Sequence, residues 1–184
     1  PIAQKETSNM NLANKLTMLR VVMIPAFVIV LYADFEGCRY VALALFAIAS
    51  FTDFLDGYIA RSRNLVTDFG KFMDPLADKV LVMTAMLMFV SWGQMPAWVL
   101  AVVLARELAV SGLRMIAATE GKVIAAAWSG KVKTASTMVC IILMLLPIPP
   151  VLNTVCWGII LVTTVYSGVE YFTKNKHVID WSNL

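Results

Sequence analysis

The chain has 184 residues, 60% of them hydrophobic and only 15% charged, with a formal net charge of +3 and a mean hydropathy of +0.77. A soluble domain of this size is nearer about half apolar, so the composition excludes an ordinary water-soluble protein and points to a polytopic membrane protein. Three scattered cysteines (Cys38, Cys140 and Cys156) argue against a disulfide framework, and no nucleic-acid partner is expected from so weak a charge.

Residues 1–9 are polar and unpatterned, and Met10-Asn11-Leu12 reads as a native start. They are set aside as a cloning remnant or disordered N-terminus, leaving 10–184 as one membrane domain. A hydrocarbon core of about 30 Å needs about 20 apolar residues per helix. Six stretches approach that length: Leu16 to Tyr32, Tyr40 to Ala60, Asp68 to Ser91, Met95 to Ala118, Ser129 to Leu146 and Val151 to Phe172. The expected fold is an all-α integral membrane protein with six transmembrane helices.

Lys and Arg distribution sets the orientation. With the N-terminus in the cytoplasm, that side receives Lys15, Arg20, Arg61, Arg63, Lys122, Lys131, Lys133, Lys174 and Lys176. The opposite loops receive only Arg39, beside Asp34 and Glu36. An even helix count then places both termini in the cytoplasm. The methionines and Trp92, Trp98, Trp128, Trp157 and Trp181 read as packing and interfacial anchors, and Glu170 is assigned no role.

Four carboxylates fall where hydrocarbon disfavours them: Asp53 and Asp56 near the end of the second helix, Asp74 and Asp78 near the start of the third. Helical spacing puts Asp53, Asp56, Gly57 and Ala60 on one face, and Gly70, Asp74 and Asp78 on another. A short cytoplasmic connection makes the two helices antiparallel neighbours, so all four carboxylates are expected at similar depth. One Asp pair alone would suit a structural ion pair with Arg61 or Lys71, or a step in an ion pathway. Four on facing stripes favour a metal site, because they stay ionised together only around a cation. Oxygen-only ligands suit Mg²⁺ or Mn²⁺, and two ions would permit in-line displacement at phosphorus. The single histidine, His177, gives zinc chemistry no support.

These residues resemble a known family. Asp53-Phe54-Leu55-Asp56-Gly57-Tyr58-Ile59-Ala60-Arg61, then Gly70-Lys71-Phe72-Met73-Asp74-Pro75-Leu76-Ala77-Asp78, match D-x-x-D-G-x-x-A-R and G-x-x-x-D-x-x-x-D separated by eight residues. This is the signature of the CDP-alcohol phosphotransferases, and the resemblance extends over all six helical segments. It implies that Asp53, Asp56, Asp74 and Asp78 are metal ligands, with Asp78 also the general base. Gly57, Ala60, Arg61, Thr67 and Gly70 would contact a CDP-linked lipid, Arg61 offering a donor fork suited to its diphosphate. The reaction implied is attack of an alcohol on the phosphorus bearing the diacylglycerol, with CMP leaving. Members are typically homodimers, so a homodimer is expected.

The acceptor is read from basic residues outside the signature. Arg106 and Arg114 lie eight apart on the fourth helix, and Lys131 and Lys133 open the fifth. Intramembrane arginines are costly unless they meet anions, and a phosphorylated acceptor brings one. The competing reading pairs Arg106 with Glu107 and leaves the lysines at anionic headgroups. The segments Ala105 to Arg114 and Gly130 to Thr134 resemble the phosphatidylglycerophosphate synthase branch. Asn14-Lys15-Leu16-Thr17-Met18-Leu19-Arg20 is similar to that branch's N-terminal motif, apart from Ala13 where Pro is usual. The resemblance implies glycerol 3-phosphate as acceptor, Asn14 and Thr17 among the CDP-lipid contacts, and a multi-pass protein of the bacterial cytoplasmic membrane with its site facing the cytoplasm. Inositol phosphate, serine or phosphatidylglycerol would serve the same chemistry. An ion-coupled transporter would need interrupted helices or an inverted repeat, and neither is visible.

Overall fold

The computed structural model describes the backbone of residues 12–33, 35–62, 68–119, 121, 124 and 127–176, and side chains over 18–33, 35–52, 76–119, 121, 124 and 127–176. Among these residues there are six α-helices and no strand: α1 Leu12–Tyr32, α2 Cys38–Ser62, α3 Asp68–Ser91, α4 Ala97–Thr119, α5 Trp128–Leu145 and α6 Pro150–Lys174. Each expected segment appears as one helix. α1 begins four residues before the apolar run, since hydropathy marks where apolar residues start and not where helical hydrogen bonding does.

The helices end where their residues require. Gly93 follows α3 with φ +68°, its N–H bonding the Val90 carbonyl at 3.0 Å, while Gln94 N–H bonds Phe89 at 2.8 Å. That pair of bonds is a Schellman ending, and glycine takes the left-handed position without a Cβ clash. α6 starts with Pro149 as N-cap and Pro150 in its first turn, where a missing N–H costs nothing. Pro25 inside α1 withdraws one helical hydrogen bond, a loss tolerated in membrane helices.

The chain divides into two compact units, residues 1–81 and 82–184. In the first, α1 and α2 pack together. Met23, Phe27 and Leu31 recur at four-residue spacing on the buried face of α1, and Ala42, Phe46 and Ala49 at spacings of four and three on that of α2. The Phe27 and Phe46 rings meet at 6.1 Å between centroids. Arg20 continues the buried α1 face one turn before Met23 and is fully enclosed.

In the second unit α6 packs against both α5 and α4. Beside Ile141, Met144, Leu145 and Ile160, the buried residues of α5 and α6 include many small and polar ones: Thr137 and Cys140 on α5, Asn153, Cys156, Thr164, Ser167 and Gly168 on α6. Ser136 and Thr163 hydroxyls bond between the two helices at 3.3 Å, and Cys140 of α5 and Cys156 of α6 are neighbouring buried thiols. The outward face of α6 is the apolar one, carrying Val151, Val155, Val162 and Val169. This polarity is reversed from that of a soluble bundle, and it is the pattern of helices that meet through small residues inside lipid. All three cysteines are buried free thiols.

Among the described residues, one helix, Pro150–Lys174, is clearly long and apolar enough to cross a membrane. The expectation of six such helices is met in helix number but not in apolarity. Apolar stretches in α1 and α2 are shorter (Met18–Tyr32 and Cys38–Thr52), and α4 carries Arg106, Glu107 and Arg114 within its span. Trp98 stacks edge-on against Trp157 at 6.1 Å, Trp92 meets Phe89 at 6.0 Å, and Trp181 lies outside the described residues.

Candidate active site

The acidic signature is carried by two helices. Asp53 and Asp56 lie three residues apart on α2, and Asp74 and Asp78 four apart on α3, with residues 63–67 between the helices. Asp78 is partly buried. The side chains of Asp53, Asp56, Gly57, Ala60, Arg61, Gly70 and Asp74, and those of Asn14 and Thr17 on α1, lie outside the described residues, as does Thr67 entirely. Those assignments rest on the sequence.

The basic residues are described in full, and they fall into two groups. Glu107 of α4 is the centre of the first. Its Oε1 accepts from Arg106 Nη1 at 2.9 Å and from Lys133 Nζ, reaching over from α5, at 2.5 Å. All three side chains are nearly enclosed, none more than 13% exposed. In surroundings so short of water a lone cation is costly, and the shared carboxylate offsets both charges. Gly168 makes room for the arginine stem, while at Gly130 a side-chain carbon would meet it only at ordinary contact distance. A Cβ added to Gly168 of α6 would stand 3.1 Å from Arg106 Cγ, and one added to Gly130 of α5 4.0 Å from its Nη2.

The second group is Arg114 and Tyr171. Arg114 Nε donates to the Tyr171 hydroxyl at 2.8 Å, and its guanidinium carbon lies 5.4 Å from the centroid of the same ring. Lys131 stands apart from both groups in its contacts, with its ammonium 6.0 Å over the exposed Trp128 ring. Of the four basic residues expected to hold an acceptor's phosphate, the structure brings Arg106 and Lys133 onto one carboxylate and gives Arg114 and Lys131 separate aromatic partners. The Arg106–Glu107 pairing weighed as a competing reading is present. It does not exclude a phosphate, because it also draws Lys133 to the same point.

Residues 10–166 match the family model described as CDP-alcohol phosphatidyltransferase, which spans most of the chain. The chain belongs to this family. Over 192 aligned residues it is 42% identical to a Bacillus subtilis (strain 168) protein named CDP-diacylglycerol–glycerol-3-phosphate 3-phosphatidyltransferase, covering 94% of this chain and 99% of the relative. A Mycobacterium tuberculosis (strain H37Rv) protein named probable phosphatidylglycerophosphate synthase is 41% identical, with 89% of this chain and 81% of the relative covered. An Escherichia coli (strain K12) protein bearing the same name as the Bacillus one is 41% identical over 71% of this chain and 74% of its own. For a CDP-alcohol phosphatidyltransferase, the residues that sequence reasoning passed over are Glu107 as a two-sided partner, Gly168 and Tyr171. The last two carry no charge and gave sequence reasoning nothing to fix on.

Proposed function

We propose that this chain transfers the phosphatidyl group of CDP-diacylglycerol to sn-glycerol 3-phosphate, yielding phosphatidylglycerophosphate and CMP. It does so as a six-span, homodimeric protein of the bacterial cytoplasmic membrane, residues 10–184 forming the membrane domain. Both termini and the site face the cytoplasm, where a soluble acceptor and a lipid donor both arrive. The reversed polarity of α6 and the Lys and Arg distribution support the topology.

The donor chemistry at the signature fits a hard divalent cation, since four carboxylates on helical registers of three and four residues supply oxygen ligands alone. Asp53, Asp56, Asp74 and Asp78 would hold Mg²⁺, two ions to a site. When bound, the ions supply charge neutralisation along the diphosphate and at the departing phosphate. The chain's own groups do the rest. Arg61, with Gly57, Ala60, Thr67, Gly70, Asn14 and Thr17, orients the CDP moiety. Asp78 takes the proton of the acceptor hydroxyl as its oxygen bonds to the phosphorus bearing the diacylglycerol, and the bond from that phosphorus to CMP breaks.

One observation carries the choice of acceptor. Arg106 and Lys133, from different helices, converge on a single carboxylate oxygen. A phosphate monoester presents the same kind of anionic oxygen, with more charge, to the same two donors, and Arg114 and Lys131 add cations on α4 and α5. An uncharged alcohol has no use for such a cluster. The test is CMP release by purified protein with CDP-diacylglycerol and Mg²⁺, offering glycerol 3-phosphate, glycerol, inositol phosphate, serine or phosphatidylglycerol singly. Release with glycerol 3-phosphate alone, lost on chelation and restored by Mg²⁺, is expected. Release with another acceptor alone would retain the reaction and overturn the acceptor.

A further inference from the structure

We propose that Tyr171 is a positioning residue for the acceptor, holding Arg114 in the orientation in which its guanidinium meets the acceptor phosphate. This rests on the acceptor reading above and deepens it, because α6 contributes no charged residue to that reading.

Arginine is a poor recognition element until it is held. Its side chain is rich in rotamers, and a site that leaves it loose gives up part of that freedom when the ligand binds. Tyr171 restrains Arg114 at two points. The hydroxyl accepts from Nε at 2.8 Å, and the ring lies 5.4 Å from the guanidinium carbon. One contact fixes the edge of the planar group and the other its distance from the ring. The Nη edge, the fork that pairs with phosphate oxygens, is not used by Tyr171.

Tyr171 is itself well anchored. It is 3% exposed and packs with Val110, Leu113 and Ala117 of α4. Its carbonyl accepts from both the backbone N–H of Asn175 at 3.2 Å and the Asn175 side-chain amide at 2.8 Å, which ties the end of α6 at this residue. One turn earlier on the same helix, Gly168 leaves the space that the Arg106 stem fills. Gly168 and Tyr171 thus form two neighbouring contacts on α6 that seat the two α4 arginines, one by absence of a side chain and one by a hydroxyl and ring.

The experiment compares Tyr171→Phe, Arg114→Ala and the double variant in the CMP-release assay, titrating each substrate separately. Tyr171→Phe keeps the ring and its packing and removes only the acceptor of Nε. It is expected to raise KM for glycerol 3-phosphate roughly tenfold, the size of one hydrogen bond to a charged group. KM for CDP-diacylglycerol and kcat should stay within about twofold. Adding Tyr171→Phe to Arg114→Ala should cost nothing further, because the two act through one contact. An unchanged acceptor KM in Tyr171→Phe, with Arg114→Ala raising it, would overturn the positioning role and leave the acceptor reading standing. An unchanged acceptor KM in Arg114→Ala would remove Arg114 from the acceptor reading itself. Equal changes in both substrates' KM values would mark Tyr171 as structural support only and overturn the inference.

Discussion

Asp78 is the one signature carboxylate whose side chain the structure describes, and its partial burial on α3 suits the proposed roles of cation ligand and general base. Asp78→Asn keeps the shape and removes the basicity. Turnover should fall by about 10²–10⁴-fold, the usual worth of a positioned general base, while binding of CDP-diacylglycerol remains measurable by equilibrium binding. Turnover near the parent level would remove Asp78 from that role. Charge is what made this residue legible: a carboxylate inside an apolar helix has to be explained, and four at helical spacing admit few explanations. The basic cluster was half legible by the same argument. Arg106, Arg114 and Lys133 stood out as costly cations, but that Glu107 serves two of them depends on Lys133 coming alongside from another helix, 26 residues on. Tyr171 and Gly168 were silent, because a hydroxyl on an aromatic ring and a missing side chain carry no signal until their neighbours are known.

At the scale of the element, α6, the helix long and apolar enough to cross a membrane, shows how periodicity and burial can part company. Its buried face includes Asn153, Thr164, Ser167 and Gly168, whereas Val162 is 67% exposed on the other side. A soluble-protein rule would turn the helix around. In lipid the apolar face needs no cover, and close helix contact favours small residues. Val162 lies near the middle of α6, so Val162→Arg should cost roughly 2.5–3.5 kcal/mol of membrane insertion. Ser167→Ala removes a local bond from its hydroxyl to the Thr164 carbonyl at 3.1 Å and should cost no more than about 1 kcal/mol. Yield of monodisperse protein in detergent and its thermal unfolding separate the two. Equal tolerance of both changes would mean that Val162 does not face lipid. The helices themselves were legible nearly to their ends, since a run of about 20 apolar residues has few other uses. Their starts were less so: α1 extends into polar residues that are compatible with a helix but carry no hydropathy.

For the whole molecule, the sequence offers a reading of sidedness but none of helix packing. Lys and Arg on alternate connections are a one-dimensional signal and survive without any knowledge of packing. Which helix faces which is decided by small residues whose pairing has no sequence code; the α5–α6 and α4–α6 contacts emerge only in three dimensions. The topology is open to a direct test because the native thiols are all buried. A membrane-impermeant maleimide applied to intact cells should label Ile148→Cys, in the α5–α6 turn, and should reach Asn175→Cys, past α6, only after permeabilisation. The reverse pattern would invert the orientation. Cys140 on α5 and Cys156 on α6, neighbouring buried thiols, have a use of their own. They are a caliper that the chain already carries: joined by a membrane-permeant oxidant, they clamp α5 to α6 without any substitution. Turnover that survives the clamp would assign the motions of catalysis to other helices, and turnover that stops until a reductant is added would assign them to this pair.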